Sequence, residues 1–141
     1  MNKKGTINLE FLILIMFLLI LFSMLISISE NEFNAIQETQ NRKEAKMITN
    51  DISHIINNVN LHSEGFSQTY QLPETINKET YVVQINSTGV YVNSHYQLTY
   101  NKFIPTNVYY KNTNNKNMYL KPGHEYKFIN KDNRIEIHQT N

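Results

Sequence analysis

One carboxylate, Glu10, stands at the mouth of an apolar run, five residues after Gly5 and close behind the basic leader Met1-Asn2-Lys3-Lys4-Gly5. An ionised group at the centre of a membrane helix costs roughly 2.5–3.5 kcal/mol, and less toward the helix end. Glu10 therefore needs a partner. A cut after Gly5 would create one, because Thr6 would gain a free α-amino group one helical turn away. An acid–amine pair of this kind, within one subunit or between neighbours, sets register and assembly rather than catalysis.

The other chemistry-bearing residues are sparser. Asn86-Ser87-Thr88 matches the acceptor pattern for an N-linked glycan, which makes Asn86 a candidate modification site. His54, His62, His95, His124 and His138 show no metal-ligand spacing, and His54 and His62 are eight residues apart, too far to share one ion. Surface or capping roles fit these histidines. No nucleophile turn is present, and with 4 glycines the chain has no Gly-rich phosphate loop. No catalytic set, cofactor site or metal site is expected, and the chain does not read as an enzyme. Tyr81, Tyr91 and Tyr126 lie on strand-like segments, where sheet packing is the default role. With a net charge of +1, nucleic acid is not an expected partner. The chain has no cysteines, which excludes a disulfide framework and thiolate metal sites.

These residues are positioned by two unlike parts, an apolar amino end and a polar remainder rich in Asn and Tyr; the mean hydropathy of −0.45 averages over both. Phe11 to Ile28 is apolar apart from Ser23 and Ser27, long enough to cross a bilayer as a helix. The run exceeds the 7–15-residue core of a removable signal peptide, and no clear small-x-small cleavage site follows it. Lys3 and Lys4 before the span, with Glu30 and Glu32 after it, place the leader in the cytoplasm and the remainder outside.

The pattern Lys3-Lys4-Gly5-Thr6-Ile7-Asn8-Leu9-Glu10-Phe11-Leu12 resembles the amino-terminal signature of type IV pilin-like precursors. It is most similar to the archaeal kind with a class III signal peptide, common in methanogens. Gly5, Glu10, Phe11 and Leu12 match position for position; Thr6 stands where the family usually has Gln, and Asn8 where it has Ser. The resemblance implies a processing site between Gly5 and Thr6 for a prepilin peptidase, and membrane storage of the precursor. It further implies assembly with the same or other pilins into a cell-surface filament. Glu10 would be the assembly residue. A membrane-anchored extracytoplasmic binding domain that never polymerises has the same hydropathy and is the alternative.

No Gly or Pro interrupts Thr6 to about Asn60, so one long helix is expected. Its first part, 6–29, is the transmembrane or filament-core segment, and 30–64 is an amphipathic stem. Ile48, Ile52, Ile55 and Val59 recur on one helical face, with Phe33 and Ile36 as candidate extensions upstream. Gln37–Lys46 is polar apart from Ala45 and reads as a solvated waist. His62-Ser63-Glu64-Gly65 stops the helix. Residues 65–141 form the head, with strands expected at Thr80–Asn86, Val90–Asn93, Gln97–Tyr100, Val108–Tyr110, Met118–Leu120, Glu125–Asn130 and Arg134–His138. Asn112–Asn117 reads as a polar loop. No crossover helix is visible, which points to an antiparallel sheet. The Leu72-Pro73-Glu74-x-Ile76 stretch, the Tyr-rich hairpin and the closing hairpin also resemble the heads of methanogen pilin-like proteins. The expected class is α+β, a long amino-terminal helix packed on a small antiparallel head.

Overall fold

A computed structural model describes residues 6–94, 97–110 and 117–140. Helix α1 runs Thr6–Leu61, 56 residues without a helix breaker. It ends before Gly65, whose φ of +87° a side chain would strain. Two of its last carbonyls and that of His62 find donors: the His62 ring Nδ1 donates to Asn58 O at 2.6 Å, and Asn130 Nδ2 donates to Val59 O and His62 O at 3.2 and 2.7 Å.

The chain forms two compact units, Met1–Glu38 and Thr39–Asn141. The described side chains of the first unit are all exposed. In the second, residues 39–61 of α1 pack on eight strands: β1 Ser67–Gln71, β2 Tyr81–Asn86, β3 Gly89–Ser94, β4 Gln97–Asn101, β5 Val108–Tyr110, β6 Asn117–Leu120, β7 Glu125–Lys131 and β8 Arg134–Gln139. The fold is α+β.

The head differs from a single antiparallel sheet. Its strands make two four-stranded sheets, ordered β1-β7-β8-β5 and β4-β3-β2-β6. One pair, β5 with β8, is parallel, Val108 opposite Ile135 and Tyr110 opposite Ile137. Parallel neighbours require a long crossover. Here it is supplied by the segment that makes β6 in the other sheet and then β7, so no helix is needed. Asn117, expected in the polar loop, instead begins β6; residues 112–116 of that loop lie outside the described residues.

The alternating pattern explains the core. On β2, Tyr81, Val83 and Ile85 point inward, and the closing hairpin contributes Phe128, Ile135 and Ile137. Opposite them α1 presents Ile48, Ile52, Ile55, Ile56 and Val59, all buried. Each such side chain contributes about 1.5–3 kcal/mol on full burial. The polar waist is covered on one face, where Asn41 and Ala45 are buried while its other residues are exposed. Phe33 and Ile36, in the first unit, are 61% and 56% exposed.

A row of asparagines on α1 does a second job. Asn50 Oδ1 accepts from Asn101 Nδ2, Asn57 Oδ1 from the Ile104 amide, and Asn60 Oδ1 from Thr106 Oγ1, at 2.7, 2.7 and 2.9 Å. Asn is a poor helix former, and here it ties the segment between β4 and β5 to the helix.

Candidate functional site

Among the described residues, most of the exposed large apolar side chains lie between Leu9 and Ile28. Every large apolar side chain in that stretch is at least 41% exposed, from Ile15 at 41% to Leu9 at 65%. Soluble monomers rarely expose contiguous apolar patches beyond a few hundred Å², and larger ones mark membrane or protein contacts. The stretch lies in the one described helix long and apolar enough to cross a membrane. Eighteen residues, Phe11 to Ile28, rise about 27 Å, close to a hydrocarbon core of ~30 Å.

Glu10 is the only acid in this stretch and is exposed. In α1 it follows Thr6 by four residues, so the two share a face one turn apart. A cut between Gly5 and Thr6 would place a free amine one turn from the Glu10 carboxylate. Gly5, the other half of the expected processing site, lies outside the described residues.

The hairpin of β2 and β3 brings together residues that the sequence pattern only partly marks. Asn86 pairs with Gly89 across the turn Ser87-Thr88. Asn86 Oδ1 accepts from the Thr88 amide, the Thr88 hydroxyl and the Gly89 amide at 2.9, 2.6 and 3.1 Å. Tyr91 and Tyr100 face each other on β3 and β4, their rings stacked with centroids 4.5 Å apart. The Tyr100 hydroxyl donates to Thr88 O at 2.9 Å, and the Tyr91 hydroxyl lies 2.8 Å from Thr88 Oγ1. Tyr81 and Tyr126 are buried as expected of packing residues, but Tyr91 is half-buried and serves the turn. Tyr100 was missed because its role depends on strand register, which local pattern does not reveal.

Among the described residues no group of three or more His, Asp or Glu could hold a metal ion. His62 stacks on Phe66 at 4.2 Å, His124 Nδ1 donates to Pro122 O at 2.9 Å, and His54 is exposed. His138 joins Lys131 and Arg134 around the buried Glu136 carboxylate, at 3.3, 3.8 and 3.6 Å. Arg134 also lies over the Tyr109 ring, 5.5 Å from its centroid. This cluster neutralises one buried acid on the outer face of β8. His95 lies outside the described residues. No protein-family model, no curated protein and no solved structure matches this chain.

Proposed function

We propose that the chain is a structural subunit of a type IV pilus-like cell-surface filament. A prepilin peptidase cuts the precursor between Gly5 and Thr6. The precursor waits in the membrane with its leader inside and its β-rich unit outside. On assembly, the apolar helices gather with those of the same or other pilins, and Glu10 is neutralised by a Thr6 amine. The protein is the substrate of a processing enzyme and has no catalytic role of its own.

The observation that carries this reading is the exposed apolar segment Leu9–Ile28 with one carboxylate, Glu10, one turn from the first residue after the proposed cut. The anchored, non-polymerising domain accounts for the exposed helix but gives Glu10 no purpose.

Glu10→Gln separates the two. It keeps the shape and removes the charge, so the variant inserts and is cut after Gly5 but fails to enter filaments. Membrane and sheared-filament fractions of wild type and variant are compared. Equal incorporation would remove Glu10 from assembly. A wild type that never leaves the membrane, with its assembly machinery present, would favour the anchored domain.

A further inference from the structure

Two-residue hairpin turns ordinarily have positive φ at their centre, which is why Asn-Gly dominates them. The β7–β8 hairpin follows that rule, with Asp132 and Asn133 at φ +50° and +60°. The β2–β3 hairpin does not: neither Ser87 nor Thr88 has a positive φ. Its turn is held instead by the Asn86 side chain, whose oxygen takes three donors.

The turn leaves one polar group unused. Among the described residues, Asn86 Nδ2 makes no hydrogen bond, while Oδ1 is saturated. The flanking Ser87 and Thr88 are exposed. The hydroxyl network has a fixed direction. Thr88 has a single hydroxyl proton, and it goes to Asn86 Oδ1, so Tyr91 must donate to Thr88 Oγ1. The chain Tyr91 to Thr88 to Asn86 is thus cooperative, each donor strengthening the next. Three donors on Oδ1 draw electron density from the amide and make the Nδ2 protons more acidic. Gly89 permits this arrangement, because a Cβ there would collide with the Tyr100 ring and the Asn101 carbonyl.

We propose that this folded hairpin presents Asn86 Nδ2 as the acceptor of a saccharide, with Tyr91 and Tyr100 as positioning residues that hold Thr88. The donor is a saccharide activated as an anomeric phosphate ester. A bond forms between Nδ2 and the anomeric carbon. The bond from that carbon to the phosphate oxygen breaks, and the phosphate leaves with its electron pair. One Nδ2 proton passes to a base of the transferring enzyme. The proposal rests on the extracytoplasmic placement of the β-rich unit and is independent of polymerisation.

The test is peptide mass spectrometry of the full chain purified from the cells that make it. Trypsin releases the peptide spanning residues 79–102, which holds the chain's single Asn-x-Ser/Thr pattern. The expected result is a saccharide mass on Asn86 that vanishes in Asn86→Gln and Thr88→Ala and survives in Thr88→Ser. Tyr91→Phe and Tyr100→Phe keep the rings but lose the hydroxyls. They are expected to lower the modified fraction several-fold while thermal unfolding stays close to wild type. An unchanged modified fraction in both would overturn presentation by the folded turn. An unmodified wild-type peptide would overturn the acceptor site itself. Protease shaving of intact cells then separates the two premises: a digested head means that Asn86 is not an acceptor, whereas a protected head means that the extracytoplasmic placement is wrong.

Discussion

The carboxamide of Asn130, on β7, donates to the backbone carbonyl of His62, 2.7 Å away, at the end of α1. The same nitrogen reaches Val59 O, and the Asn130 backbone pairs with Phe66 and Gly65. One side chain from late in the sequence thus closes the helix begun at Thr6. Asn130→Ala leaves two carbonyls without this donor at a buried position and is expected to cost about 1–3 kcal/mol. Chemical denaturation of the detergent-solubilised chain checks it; an unchanged midpoint would mean that water replaces the bond at no cost.

Ile52 is fully buried at the centre of the helical face. Ile52→Ala removes the side chain beyond Cβ from the buried core cluster. The expected loss is about 2–5 kcal/mol, read as a lower thermal midpoint of the head. Met47→Ala, on the exposed face of the same helix, is the control and should shift the midpoint little.

The buried phenols give the head an alkaline limit. Burial, followed by the neighbouring Tyr70 and Tyr126, pushes the Tyr81 phenol well above its ordinary value. Its hydroxyl donates to Pro73 O at 2.6 Å, a bond that only the protonated form can make. Burial and the Asp51 carboxylate push Tyr70 the same way. A raised folded pKa means stability fully present below the unfolded value of about 10 and lost as pH rises above it. Urea midpoints should therefore be level up to about pH 9 and fall beyond about pH 10. Tyr81→Phe should lower the plateau and soften the fall. A wild-type midpoint that stays level through this range would contradict it.

Gly5→Val tests processing. A branched side chain beside the scissile bond is expected to block cleavage, so the membrane fraction holds the chain with its leader. Intact-mass measurement distinguishes a chain starting at Thr6 from one retaining Met1 or Asn2. Mature protein of normal size from the variant would remove Gly5 from the processing site.

The helix and most of the strands were legible because their apolar residues repeat with the right period. Ile48, Ile52, Ile55 and Val59 announce a face, and Tyr81, Val83 and Ile85 announce another. β1 was not legible. Ser67-Gln68-Thr69-Tyr70-Gln71 has no apolar alternation, being an edge strand held by backbone pairing with β7 and by Asp51 and Asn58 of α1. Ile56 was missed for the opposite reason: it widens a stripe already identified. The division into two sheets and the parallel β5–β8 pair depend on which distant strands meet, and no local pattern encodes that. For the candidate sites, Glu10 and Asn86 could be read from spacing alone. The Tyr91–Tyr100 clamp on Thr88 required the register.

The place of β8 governs when the head can be completed during synthesis. β8 is an inner strand, with β7 on one side and β5 on the other. β5, made some twenty-five residues earlier, has no partner in its sheet until residues 134–139 emerge. During synthesis the β5 segment therefore lacks its sheet neighbour for the whole of that interval. The last described strand acts as a latch: a premature stop shortly before Arg134 would strand β5 and leave β7 paired on one side only. Such a product would be open to proteolysis and aggregation even though its α1 segment was intact, so completion of the β-rich unit waits on its last described strand.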